Sequence, residues 1–260
     1  MPLKISYSFD PIDIQKISDI VSERKQLGRR LVIERIQRNI EGEPPLISEE
    51  ELWFAMMMCL LTTQQPSGPN DPVPRFLLSI PFRLSLPKIR QSENIPELVK
   101  KELSDFGGIR FYNRIADETY ENFSTLEAGG WSRLKYFANA LSDQRRTTPE
   151  IGHLALEQEA AEYMSANYRG IGPKQSRNFW QYLGLTRFVF VLDGRVIKWL
   201  HKNIDFGALP LSTDFLSDEK YYRFVSGILL NLCEQVGVLP CLFDAVIFDS
   251  YDPDEWQGYI

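Results

Sequence analysis

Residues 52–61, LWFAMMMCLL, are apolar without a break. Just upstream, Ser48 and Glu51 stand at capping-box spacing, so a helix is expected to start at about residue 49. Pro66 and Gly68 then stop it. A helix with no polar face must be surrounded by protein on every side or lie in a membrane. This run is well short of the roughly 20 residues a bilayer requires. The rest of the chain therefore has to build a shell around it.

That shell reads as helices. Ile14, Ile17, Ile20 and Val21, then Leu31, Val32 and Ile36, recur at helical spacing, with Gly28 as a break. Pro96 opens and Gly107 closes another helix. RFYNRIADETYENFSTL and GWSRLKYFANAL follow, and TPEIGHLALEQEAAEYMSANYR predicts one long helix with proline at its start. Two further helical stretches, PLSTDFLSDEKYYRFVSGILLNLCEQVGV and LPCLFDAVIFDSY, close the chain. Only TRFVFVLD, residues 186–193, reads as extended, and TTQQPSGPNDPVPR, with four prolines, reads as a stiff loop. The expectation is an all-α protein with short connections.

Several function classes are disfavoured. Cys59, Cys233 and Cys241 form no CxxC pair, which predicts reduced thiols and no zinc knuckle. His153 and His201 are too few and too far apart for a metal motif. MPLKISYSFDPIDIQK lacks the basic and apolar regions of a signal peptide, so a cytoplasmic location is expected, nucleoid-associated in a prokaryote. The net charge of −6 argues weakly against nucleic acid, but charge is unevenly spread. Between Arg169 and Lys202 stand seven basic residues and a single acid, Asp193. A second basic run holds Arg24, Lys25, Arg29, Arg30, Arg35 and Arg38.

The first of those runs contains YRGIGPKQSRNFW, residues 168–180. A helix ending in YMSANYR, a tight GIGP turn and a second helix starting near Lys174 make a helix-hairpin-helix. Gly170 and Gly172 let the chain turn sharply and leave no side chain between backbone and ligand. Amides exposed at the start of the second helix can then bind a phosphate. Lys174 sits where the helix dipole disfavours a cation, a placement that suits a neutral, nucleophilic amine. Pro173 between Gly172 and Lys174 excludes a nucleotide P-loop. Nineteen residues on, Asp193 opens the helical run GRVIKWLHKN, where a carboxylate also serves as an N-cap.

YRGIGPKQSRNFWQYLG followed by FVLDGRVIKWL resembles the hairpin, Gly/Pro loop and aspartate signature of the helix-hairpin-helix DNA glycosylase superfamily. The compact archaeal-type branch of the 8-oxoguanine DNA glycosylase/AP lyases is the nearest in pattern. LLTTQQ is similar to a superfamily segment that reaches into DNA from the end of a buried helix, and by position Gln64 would fill the gap left by an extruded nucleotide. LFDAVIFDSY is similar to that branch's closing helix, with Asp244 and Phe248 at base-pocket positions. The chain departs from the pattern at Arg195, where histidine is usual, at Ser176 for alanine, and at Phe248 for tryptophan. It also lacks the four-cysteine iron-sulfur loop of other members.

The resemblance implies two helical lobes flanking a DNA-binding groove, with the hairpin at their junction. Residues 1–47 with 188–260 would form one lobe and residues 48–187 the other. It implies excision of an oxidised purine from double-stranded DNA by a monomer. Lys174 would form a Schiff base with the sugar, Asp193 would stabilise the sugar cation, and β-elimination would nick the strand. Gly170, Gly172, Gln64, Arg169, Arg177 and Arg195 would contact DNA. No cofactor or metal is expected for the chemistry, although family members bind a monovalent cation through hairpin carbonyls. The competing expectation is a helix-hairpin-helix module that binds DNA or a partner without catalysis.

Overall fold

The computed structural model describes residues 8–66, 68, 70–206 and 209–251. Helix α1 (Pro11–Gln26) stops at Gly28, whose φ of 63° takes the chain out of helical geometry before α2 (Arg30–Arg35). Helix α2 runs on into a π-helical turn over Ile36–Glu41. Helix α3 (Glu49–Leu61) carries both halves of its capping box: Ser48 Oγ accepts from the Glu51 amide, and the Ser48 amide donates to the Glu51 carboxylate at 2.7 Å. Every residue of α3 from Ala55 to Leu61 is buried, as its lack of a polar face demands.

Seven helices pack around α3: α4 (Pro72–Leu77), α5 (Leu86–Arg90), α6 (Ile95–Phe106), α7 (Tyr112–Thr125), α8 (Trp131–Arg145), α9 (Leu154–Asn167) and α10 (Pro173–Tyr182). Their apolar faces and α3 form one continuous core from Leu52 to Leu185. A second core joins the two ends of the chain. It is built by α1 and α2 with α11 (Gly194–Asn203), α12 (Glu219–Val236) and α13 (Pro240–Ser250), and runs from Ile17 and Val32 to Phe243 and Ile247. Residues 1–7 and 252–260, which the sequence reading counts with the terminal lobe, lie outside the described residues.

Buried arginines staple the two cores together. Arg145 on α8 donates to the carbonyls of Arg38, Ile40 and Gly42, at and just after the π turn, and to Gly184. Arg187 donates to Asn39, Thr147 and Arg145 carbonyls. The guanidinium forks thus satisfy carbonyls that the irregular helix end leaves without backbone donors.

Three local expectations are corrected. The extended stretch 186–193 pairs with no strand, and among the described residues there is none. Its polar backbone is satisfied by side chains instead. Glu157 accepts from the amides of Arg187, Phe188 and Val189, Asp244 accepts from Val191, and the Tyr222 hydroxyl bridges Leu192 N and Phe190 O. The long helix expected from Thr148 begins later, as a 3₁₀ turn at Ile151–His153 that leads into α9. The proline-rich loop is partly helical, because Pro72 and Pro74 occupy the first turn of α4, where a missing N–H costs nothing. No single helix among the described residues is long and apolar enough to cross a membrane.

Candidate active site

Helix α9 ends at Asn167, the chain turns through Tyr168–Gly172, and α10 starts at Pro173, so the sequence-predicted hairpin is formed. Gly170 supplies the turn with φ +77°, and a Cβ there would lie 2.6 Å from a Glu118 carboxylate oxygen and 2.7 Å from Leu60. Gly172 differs. Its φ of −83° suits any residue, and a Cβ would meet nothing within 4 Å. Its lack of a side chain keeps the surface bare rather than making the turn. Asn122 on α7 holds the hairpin from behind, accepting from the Arg169 amide and donating to the Arg169 carbonyl.

Lys174 is half-buried in the first turn of α10, with Nζ 3.5 Å from Gln175 Oε1. Among the described residues it makes no ion pair. Gln175 Nε2 donates in turn to the hydroxyls of Thr62 and Thr63, tying the lysine's turn to the end of α3. Asp193 is the N-cap of α11. Its Oδ1 accepts from the amides of Arg195 and Val196, both at 2.9 Å, and its Oδ2 lies 3.7 Å from Arg195 Nη1. Burial pushes the thiol of Cys59, which also lies near Lys174, up to about 12 and keeps it protonated.

Two concavities meet at this pair. One is a cavity of about 100 Å³ lined by Lys174, Asp193, Asp244 and Phe248 together with Arg35, Met58, Asn178 and Gln181. The other is an open groove of about 680 Å³ lined by Gln64, Gly170, Gly172, Lys174, Asp193 and Arg195. Lys174, Asp193 and Thr62 border both, so the amine and the carboxylate stand at the doorway between cavity and groove.

Inside the cavity Asp244 is buried and satisfied by Arg35 at 3.2 Å, Gln181 Nε2 at 2.9 Å and the Val191 amide at 3.0 Å. Burial raises its carboxyl to about 6 despite these partners. Phe248 forms part of the wall, with the Arg195 guanidinium 4.0 Å above its ring centroid. Gln64 is exposed at the groove edge with φ 56°. Its carbonyl accepts from Arg110, and its side chain lies 3.3 Å from Arg114.

One expected DNA contact is overturned. Arg177 is buried, with 3% of its side chain exposed, and its guanidinium is paired with Glu219 and packed over the Tyr222 ring. Its position one turn along α10 from Pro173 points it into the protein, not the groove. Arg187 is buried as well, so the basic window offers less surface charge than its seven residues imply. Arg169 is 64% exposed and pairs with Glu121. In the second basic run Arg24 and Arg29 face Asp249, Arg30 faces Glu34, and Arg35 faces Asp244.

Sequence reasoning missed other groups. Asn178 and Gln181 follow Lys174 at i+4 and i+7, a polar stripe on one face of α10 that was readable as a cavity lining. Arg114 on α7 and Arg110 in the loop just before it, both stacked on Phe111, brace Gln64 from far along the chain, and no local signal reveals that. No cluster of three or more His, Cys, Asp or Glu among the described residues is arranged to hold a metal ion.

A hairpin lysine and a helix-capping aspartate thus share one doorway between cavity and groove. The fold is that of the 8-oxoguanine DNA glycosylases. It matches the enzyme of Thermotoga maritima with a TM-score of 0.60 at 19% identity, covering 93% of this chain and 97% of that one. The Methanocaldococcus jannaschii enzyme matches with a TM-score of 0.60 at 19% identity, covering 93% and 94%. A structure of the latter with a 15mer DNA containing 8-oxoguanine gives 0.59 at 18%, covering 93% and 98%. In sequence, 204 residues are 24% identical to the 8-oxoguanine DNA glycosylase/AP lyase of Sulfurisphaera tokodaii, spanning 77% of this chain and 82% of that protein. No family-wide sequence profile matches the chain.

Proposed function

We propose that this chain is a bifunctional DNA glycosylase/AP lyase that excises an oxidised purine, 8-oxoguanine foremost, from double-stranded DNA. The observation that carries this reading is the doorway: Lys174 and Asp193 border both the cavity and the groove. A duplex in the groove can deliver a nucleotide whose base enters the cavity while its sugar stops between the two residues. Extrusion of that nucleotide costs about a few kcal/mol, and Gln64 stands at the groove edge to fill the gap. The hairpin amides and Arg169 face the flanking phosphates. Gln181, Asn178 and Asp244 line the base's side of the cavity with donors and acceptors.

The Lys174 amine attacks C1′ as the glycosidic bond breaks and the base leaves with the electron pair. Asp193 Oδ2 faces the positive charge that develops on the sugar, while its other oxygen keeps α11 capped. Ring opening gives an imine between Nζ and C1′. Loss of a C2′ proton then expels the 3′ phosphate by β-elimination, and hydrolysis frees the lysine. No cofactor enters these steps. The enzyme acts as a monomer in the compartment that holds DNA.

Borohydride trapping on a duplex carrying one 8-oxoguanine tests this reading. A covalent protein–DNA adduct is expected, and it is expected to disappear in Lys174→Gln. Asp193→Asn keeps the cap, since asparagine accepts the same amides, and should bind the lesion duplex yet release base far more slowly. Absence of any adduct on lesion or abasic duplexes would instead identify a non-catalytic DNA-binding module.

A further inference from the structure

We propose that Arg195 is a positioning residue that couples the Asp193 carboxylate to the Phe248 wall of the cavity and thereby sets how well the cavity accepts a base. This rests on reading the site as that of a glycosylase.

Arg195 lies in the first turn of α11, just after the Asp193 cap. Its guanidinium covers the face of Phe248 at 4.0 Å from the ring centroid, while its Nη1 reaches to 3.7 Å from Asp193 Oδ2. Phe248 lines the cavity, Arg195 lines the groove, and Asp193 borders both. The stacked pair is therefore a partition whose two faces belong to different parts of the site. With 27% of its side chain exposed, the arginine is partly desolvated, which strengthens a cation–π contact. A flat guanidinium covers the aromatic face and at the same time presents an edge N–H to the carboxylate, which the compact ammonium of lysine cannot reproduce.

A second rung shows that this partition belongs to a larger seam. Three residues along α11, the Lys198 ammonium lies 5.4 Å from the centroid of the Tyr251 ring, and Tyr251 is three residues beyond Phe248. Arg195 and Lys198 thus stack on Phe248 and Tyr251 as a two-rung ladder between α11 and the end of α13. The outer rung lies outside both the cavity and the groove linings. It offers the same kind of contact between the same elements without reaching the chemistry, and so separates a positioning role from a merely structural one.

The test compares single-turnover excision from an 8-oxoguanine duplex with cleavage of a duplex carrying a ready-made abasic site, where no base occupies the cavity. Arg195→Gln and Phe248→Leu are each expected to slow excision about tenfold, and the double variant no further than the worse single. Each is expected to slow abasic-site cleavage less than excision. Lys198→Gln, which removes the outer rung, should excise within about twofold of the parent while losing similar thermal stability. Should Arg195→Gln fail to fold, Arg195→Lys takes its place in the same cycle. Multiplying losses in the double variant, or a Lys198→Gln loss equal to that of Arg195→Gln, would overturn the proposal. A parent that cuts neither duplex would remove the glycosylase reading itself, whereas a parent that cuts both with an additive cycle would remove only the coupling.

Discussion

Asn122 grips Arg169 by both main-chain groups: Oδ1 accepts the N–H at 2.7 Å and Nδ2 donates to the C=O at 2.9 Å. One buried amide on α7 thereby fixes the entry to the hairpin as a paired strand would. Asn122→Leu preserves size and leaves both backbone groups without their partner. A loss of about 2–4 kcal/mol in urea unfolding is expected. A loss under about 1 kcal/mol would mean that water replaces the asparagine freely.

The two hairpin glycines are expected to respond differently. Gly170→Ala must hold an L side chain at φ +77° against Glu118 and Leu60, and should lower stability by about 2 kcal/mol. Gly172→Ala has ordinary φ and open space, so its unfolding midpoint should stay near the parent's. Its methyl projects where a phosphate would approach, and duplex affinity should fall. Equal destabilisation by the two substitutions would contradict the geometry.

Charge reversal separates the two arginines that sequence alone treats alike. Arg169→Glu should fold normally and weaken duplex binding, with a shallower dependence of affinity on salt. Arg177→Glu places two carboxylates together beneath Tyr222 and should cost about 3–5 kcal/mol. Thermal melts and salt-dependent binding on the two variants check this directly. A stable Arg177→Glu that binds DNA poorly would return Arg177 to the groove.

Glu157 gives a pH signature. Burial raises its carboxyl from 4.5 to about 7, with three backbone amides and Arg187 opposing that rise. Asp244 moves the same way, from 3.8 to about 6. A raised carboxyl pKa means that the folded state binds more protons than the unfolded one between those values. Stability contributed by these groups therefore falls as pH rises, from about 4.5 to 7 for Glu157 and from about 3.8 to 6 for Asp244, and levels off above. In Glu157→Gln the fall over that window should be smaller than in the parent. Parallel curves of unfolding free energy against pH would show that Glu157 stays ionised throughout.

What the sequence discloses follows from how local the cause is. Ser48 and Glu51 cap α3 within one turn, Gly28 breaks α1 from α2 by its own φ, and Lys174 and Asp193 each owe their place to the first turn of a helix. Such features depend on neighbours a few residues away, and all were readable. Arg177 was not, because its burial depends on Glu219, 42 residues distant. The same holds for Gln64, whose carbonyl is held by Arg110, 46 residues on. The stretch at 186–193 misled for a related reason. β-Branched and aromatic residues favour extended backbone, but only a partner makes a strand, and here carboxylates and a phenol fill that role.

Those side chains change hands along the way. Glu157 of α9, on the central core, holds residues 187–189, whereas Tyr222 and Asp244 of the terminal core hold residues 190–192. Asp193 follows at once, and Lys174 is fixed at the opposite end of α10. The stretch is therefore a ruler between the two halves of the molecule, graduated one peptide at a time, and its length helps to set the spacing between Lys174 and Asp193.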